Sequence, residues 1–255
     1  MNYIDRVKAF KNKLEQKSKP LIGTFIKTNA VSNLEIIAST GMDFIIIDAE
    51  HAPFSRSDID LLQLAARASA IPALVRVDDI NSSKILSALD SGACGVIVPH
   101  IDSKEKAEKL VSLCLYNGSR GFSNSPRAGE YGNLKPWEHI LKADKETLII
   151  AMIEDEQACE KIDEILSVKG LSGIFIGRGD LMVSLNDRSE DSYKTNQYIQ
   201  KIILSSKNHK KPIFIVPNSK NELNDFFEIG VCGFVCGSDQ SLLKNGILQL
   251  FENIS

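Results

Sequence analysis

A closed (β/α)8 barrel of the TIM type, led in by an N-terminal helix, is the α/β fold class that these 255 residues predict. Three observations carry that expectation. Eight short apolar, β-branched runs recur along the chain, and amphipathic stretches of helical period separate them. The junction "helix, glycine, strand" repeats as STGMDF, DSGACGV, VKGLSGIF and EIGVCGF. A βα unit of roughly 30 residues, taken eight times, gives about 250 residues, the usual size of one such barrel. Residues 1–255 are therefore expected to form one domain.

The chain opens with MNYIDRVKAFKNKLEQKSKP, a polar stretch that predicts a leading helix. Strands are predicted over 21–28, 43–50, 72–78, 95–100, 147–154, 173–180, 212–218 and 233–239. Each is apolar on both faces, which suits a parallel sheet covered by helices rather than a half-exposed antiparallel one. Helical patterns fill the gaps: NLEIIASTG, RSDIDLLQLAARASA, SSKILSALDSG, SKEKAEKLVSLCLY, QACEKIDEILSVKG, the stretch from Tyr193 to His209, NELNDFFEIG and LLKNGILQLF. Ser103 stands where a helix N-cap is needed, and Gly41, Gly92, Gly170 and Gly230 stand where helices should stop. One insert, NGSRGFSNSPRAGEYGN (117–133), breaks the rhythm; a loop of that length is functional or disordered. It leads through a short helix, KPWEHILKADKE, to the fifth strand. An open doubly wound sheet fits less well, because the first turn, KTNAVSN, holds no GxGxxG.

Lys and Arg number 30 against 33 Asp and Glu, a net charge of −3 that gives no reason to expect nucleic acid or an anionic membrane as partner. The longest apolar runs, Phe44 to Ile47 and Leu148 to Ile153, fall far short of the ~20 residues that cross a bilayer. The N-terminus lacks the apolar core of a signal peptide, so a cytoplasmic protein is expected. Five cysteines, Cys94, Cys114, Cys159, Cys232 and Cys236, form no CxxC pair; they read as small buried hydrophobes in a reducing compartment.

Catalytic groups of a barrel come from the C-terminal ends of its strands. The second run ends in Asp48, Glu50 and His51; the third carries Arg76, then Asp78 and Asp79; the fourth ends in His100 and Asp102. The fifth ends in Glu154, Asp155 and Glu156, and the sixth in Arg178 and Asp180. Packing needs none of these charges. Glu154 and Asp180, closing adjacent runs, would repel each other unless one took a proton or a hard divalent ion lay between them. Helix N-caps are the plain alternative. Arg76, inside an apolar run, either bridges a buried carboxylate or grips an anionic oxygen at the mouth. His51 is either a solvated loop histidine or a proton carrier. His100 could line the mouth or cap its strand, while His139 and His209, in charged helical stretches, are expected on the surface. Arg120 and Arg127 sit in the insert, where an anion site and a solvated loop are both open.

With IDAEHAP (47–53), LVRVD (74–78), MIEDE (152–156) and IGRGDL (176–181) in order, the chain resembles the HpcH/HpaI aldolases, class II pyruvate aldolases, from the first strand to the last helix. The resemblance implies a phosphoenolpyruvate/pyruvate-type barrel whose divalent metal, Mg²⁺ or Mn²⁺ with Co²⁺ as a further candidate, is held by Glu154 and Asp180. It implies that Arg76 steadies an enolate oxygen, and that backbone amides from Gly177 through Gly179 to Asp180 contact the pyruvate carboxylate. It further implies that His51 is the acid/base, with Asp48 and Asp90 as its carboxylate supports, and that Arg120 helps to bind substrate. The partners so implied are pyruvate and a small (hydroxy)aldehyde, in a homo-oligomer, hexamer or trimer, built through the last helix. Two departures from the family pattern stand out: Arg178 where proline is common, and Met152 where glutamine is. Three rival readings remain: a Schiff-base enzyme using Lys27, a citramalyl- or malyl-CoA-type lyase, and a non-catalytic 2-oxo-acid-binding barrel.

Overall fold

The computed structural model describes residues 2–254. Eight parallel strands close into a barrel in sequence order: β1 (Leu21–Ile26), β2 (Phe44–Asp48), β3 (Ala73–Arg76), β4 (Gly95–Val98), β5 (Leu148–Ile153), β6 (Gly173–Ile176), β7 (Ile213–Ile215) and β8 (Gly233–Ser238), with β8 pairing back onto β1. The (β/α)8 expectation holds for all eight strands. The helices are α1 (Tyr3–Gln16), α2 (Val31–Ser39), α3 (Arg56–Ala68), α4 (Ser82–Asp90), α5 (Lys104–Cys114), α6 (Pro136–Glu146), α7 (Glu156–Glu160), α8 (Ile162–Leu166), α9 (Arg178–Ser184), α10 (Tyr193–Asn208), α11 (Lys220–Glu228) and α12 (Asp239–Ile254).

The period of two along each strand sorts side chains into two layers. One parity, including Ile45, Ile47, Val75, Val96, Ile149 and Ile174, packs outward against the helices. The other, including Phe44, Ile46, Leu74, Ile150, Met152 and Phe175, fills the barrel. α1 supplies the floor: Phe10 and Leu14, both buried, pack among Leu21, Phe44, Leu148 and Phe214 at the strands' N-terminal ends. Gly23 makes room for this layer, since a Cβ there would lie 2.6 Å from the Phe44 ring. The helix stops read from sequence are used as such: Gly92 and Gly230 have φ of +95° and +104°, which favour glycine.

Two boundaries differ from expectation. The sixth run, 173–180, does not stay extended; β6 ends at Ile176 and α9 starts at Arg178. The stretch QACEKIDEILSVKG forms two short helices, α7 and α8, rather than one. The insert contains a 3-10 segment, Arg127–Gly132, and is tied to the barrel's helices by Arg127, which bonds Asp60 of α3 and the Ser91 carbonyl after α4. His139, expected on the surface, is buried within it, bonded to the Tyr116 hydroxyl at 3.3 Å and Asn124 Oδ1 at 3.0 Å. No described helix is long and apolar enough to cross a membrane.

Candidate active site

Following the interior parity up each strand leads from apolar filling to charge. β2 runs Phe44, Ile46, Asp48, then Glu50; β3 runs Leu74, Arg76; β5 runs Ile150, Met152, then Glu154. The register sets Asp48 opposite Arg76 on neighbouring strands. Their side chains form a two-pronged ion pair, Arg76 Nε donating to Asp48 Oδ1 at 2.9 Å and Nη2 to Oδ2 at 2.8 Å. Both residues are buried. The third prong, Nη1, lies 3.1 Å from Glu50 Oε2, and the guanidinium stacks over the Phe25 ring at 4.7 Å. Of the two alternatives for Arg76 the structure shows the first: it bridges buried carboxylates, from a position that also lines the mouth of the barrel.

Burial opposes the charge on Asp48, yet hydrogen bonds and charge from Arg76, the His51 N–H and the Lys27 ammonium outweigh it and hold its carboxyl below the usual range. Glu50 goes the other way, raised by burial despite Arg76. The expected link from Asp48 to the His51 ring is absent. Asp48 accepts the His51 backbone N–H at 3.3 Å, while the half-exposed ring has Nε2 3.7 Å from Glu50 Oε2. The strand's alternation explains this, because Asp48 turns inward and leaves His51 on the rim. Glu50, not singled out from sequence as a site residue, is the carboxylate between Arg76 and His51.

Glu154 is almost wholly buried just beyond β5. Its Oε1 accepts the His100 backbone N–H at 2.8 Å, and the His100 ring Nδ1 lies 3.4 Å from the same oxygen and 3.2 Å from Asp155 Oδ2. His100 pays for this with a left-handed backbone, φ +54°. Burial raises Glu154 to about 7, His100 partly offsets the rise, and Asp180 and Glu50 add to it. Glu154 caps no helix; Asp180 lies in the first turn of α9 behind an N-cap that is Gly177. The cap alternative therefore fails for Glu154. At Gly177 a Cβ would stand 2.4 Å from Glu154 Oε2, so the glycine is the space in which that carboxylate sits.

These residues fit a hard divalent ion. Two mutually repelling carboxylates, one of them held near neutrality by burial, are what Mg²⁺ or Mn²⁺ uses when water and substrate complete the coordination. Among the described residues no group of three or more His, Cys, Asp or Glu is arranged around one metal position. The pocket beside them, about 390 Å³, is lined by Phe25, Arg76, Met152, Gly177, Gly179 and Asp180.

Three expected contributors fall elsewhere. The Gly177 N–H is spent on Ile153 O at 3.1 Å, so the free amides of this turn begin at Arg178 and continue through Gly179 and Asp180. Asp90 ends α4 and is paired with Arg120 Nη2 at 2.9 Å, so within the chain it does not support His51. Arg120, buried over the Tyr116 ring at 4.3 Å, lines a separate cavity of about 120 Å³ with α1, at the barrel's N-terminal end. Helices run antiparallel to the strands, which carries the end of α4 and the start of the insert away from the catalytic rim. Arg178, where proline was expected, reaches outward to Glu222 Oε1 at 2.6 Å and Asn196 Oδ1 at 3.1 Å.

Residues 21–245 match the family model HpcH/HpaI aldolase/citrate lyase. The chain belongs to this family. It is 30% identical over 228 residues to a 5-keto-4-deoxy-D-glucarate aldolase of Escherichia coli, covering 88% of each chain. An HpcH/HpaI aldolase from Desulfitobacterium hafniense superposes with a TM-score of 0.85 at 25% identity, over 96% of this chain and 95% of that one. The citrate synthase SbnG superposes with a TM-score of 0.84 at 28% identity, over 95% and 96%. The chain is a carbon–carbon lyase of the HpcH/HpaI fold, which removes the non-catalytic barrel from consideration.

Proposed function

We propose that this HpcH/HpaI chain is a divalent-metal-dependent, class II aldolase that reversibly cleaves a 4-hydroxy-2-oxo acid into pyruvate and a small aldehyde through a pyruvate enolate. The observation that carries the reading is one pocket lined by the buried guanidinium of Arg76 together with Gly177 and Asp180, with the buried Glu154 carboxylate against Gly177 and within electrostatic reach of Asp180. Glu154 and Asp180 would hold the metal, which when bound supplies Lewis-acid stabilisation of the oxygen that becomes the enolate.

Arg76 directs its remaining N–H donors at that oxygen from a buried, preformed position, so its effect grows as negative charge develops. Asp48 and Glu50 hold the guanidinium in place. His51, half-exposed on the rim, takes the proton of the 4-hydroxyl as the C3–C4 bond breaks, and the enolate then takes a proton from water at C3 to leave as pyruvate; in the condensation direction both transfers reverse. The first-turn amides of Arg178, Gly179 and Asp180 receive the pyruvate carboxylate. Met152 and Phe25 keep water from the enolate face.

The aldehyde half extends past Arg178 and Asn218, where polar rim groups favour a hydroxylated partner. A homo-oligomer is expected from α12, whose Leu243, Leu250 and Ile254 are all more than half exposed. The CoA-lyase reading lacks a basic cluster for the CoA phosphates near this pocket among the described residues.

The test is a cleavage assay after metal stripping and reloading. With 5-keto-4-deoxy-D-glucarate in the cleavage direction, or in a separate condensation assay with pyruvate and a small acceptor such as glycolaldehyde, turnover should follow addition of Mg²⁺ or Mn²⁺. Turnover of malyl-CoA without any aldol cleavage would replace this reading with the thioester one.

A further inference from the structure

Among the described residues Lys27 is the one lysine that follows an interior strand end into the mouth, and the structure gives it a different task from the Schiff-base role open to it in sequence. A Schiff-base lysine needs a free lone pair, in an apolar pocket or beside another cation. Lys27 Nζ instead lies 3.2 Å from Asp48 Oδ2, the same oxygen that takes Arg76 Nη2 at 2.8 Å. Asp48 is fully buried and therefore saturated: two bonds from Arg76, one from the His51 N–H and the ion pair with Lys27. The base of the Lys27 side chain is fixed as well. Asp239, buried at the start of α12, accepts the backbone N–H of Lys27 at 2.9 Å and of Thr28 at 3.1 Å. Both cations also share the Phe25 ring, Arg76 at 4.7 Å and Lys27 Nζ at 5.8 Å.

We propose that Lys27 is a positioning residue for the aldol chemistry, acting through Asp48 to hold the Arg76 guanidinium in place and leave its charge available to the oxyanion. Two cations, Lys27 and Arg76, here face two carboxylates, Asp48 and Glu50. Without Lys27 the two carboxylates face Arg76 alone, and an excess negative charge sits beside the point where the enolate must carry its own. The inference rests on the pyruvate-enolate reading above, so the experiment separates the two.

Exchange of the pyruvate C3 protons with D₂O is measured in the Mg²⁺-loaded wild type and in K27M, K27Q and K27R. The expected result is a kcat about ten-fold lower in K27M and K27Q with KM within about three-fold, and recovery of most of the rate in K27R, as for a group acting on the transition state. In parallel, the NMR signal of the Arg76 Nε–H, protected by its bond to Asp48, should broaden in K27M and return in K27R. Wild-type kcat in K27M overturns the proposal. So does borohydride trapping of pyruvate on Lys27 together with an inactive K27R, which would make Lys27 a nucleophile. If the wild type itself shows no exchange, the enolate reading fails, and the Arg76 signal alone decides: unchanged in K27M, it overturns the positioning role too.

Discussion

Arg76 is the residue whose removal should tell most. Truncating it to Met leaves Asp48 and Glu50 buried without their shared cation, which costs stability on the order of 3–5 kcal/mol for a broken buried pair. Arg76→Lys keeps a charge but loses the two-pronged geometry, and kcat for pyruvate proton exchange is expected to fall about 100-fold or more. Steady-state kinetics beside a thermal melt separates the two effects. Glu154 makes a pH prediction. Its folded value near 7 lies above the ordinary carboxylate value, so below about pH 7 metal must displace a proton. Mg²⁺ affinity measured by calorimetry should rise with pH up to about 7 and then level, being about ten-fold weaker at pH 6. The stability sign runs opposite in the metal-free protein. A raised carboxylate stabilises only while protonated, so the wild type should lose stability relative to E154Q as pH rises from 4.5 to 7. A flat difference between the two melts would remove Glu154 from this role. Asp48, Arg76, Glu154 and Asp180 could be read from the sequence because charge at the end of an apolar run has no packing reason. Glu50 is visible there only as one more strand-end charge, and its place between Arg76 and His51 is not, nor is the backbone of His100. Their importance comes from which neighbour's prong is left over and from a left-handed φ, neither of which a linear pattern records.

At the scale of elements, the junction between β6 and α9 decides whether the two carboxylates can share a ligand. Gly177→Ala would drive a methyl into Glu154 Oε2 and Cβ, at 2.4 and 2.7 Å, so the carboxylate must move. Metal affinity is expected to drop at least about ten-fold while the fold, judged by circular dichroism, persists. Normal Mg²⁺ binding by this variant would show that Glu154 is not a ligand in the position described. The floor helix α1 makes a different prediction. Phe10 packs against Phe44 with ring centroids 5.1 Å apart and is buried, so Phe10→Ala should cost about 3–5 kcal/mol in urea unfolding. The proposed pyruvate site lies at the other end of the strands, so KM should stay near wild type. Helix and strand periods made these elements visible in sequence. The predicted sixth strand runs on through Asp180 because GRGD is compatible with either state, whereas the chain turns into α9 at Arg178. His139 was misplaced for a related reason: it is buried by the insert folding over it, a tertiary event with no local period.

For the molecule as a whole, eight repeats of one βα pattern suffice to predict the closed barrel, and the interior parity then puts the candidate site residues at one end of it. What the linear pattern could not place was Asp90 and Arg120, whose residue types suited the site but whose positions follow from the direction of α4. The exposed apolar face of α12 is a further whole-molecule property. Light scattering should give a mass that is a multiple of 28.1 kDa, and Leu243→Glu with Leu250→Glu should lower it. A monomeric wild type would contradict the assembly. The central claim, that this rim enolises pyruvate with the help of a divalent ion, needs no knowledge of the aldehyde to be tested. Purified protein is incubated with pyruvate in D₂O and the C3 proton signal is followed by NMR with and without EDTA. The account predicts loss of signal that EDTA stops and Mg²⁺ or Mn²⁺ restores. Exchange indifferent to EDTA, or none with metal supplied, would contradict it.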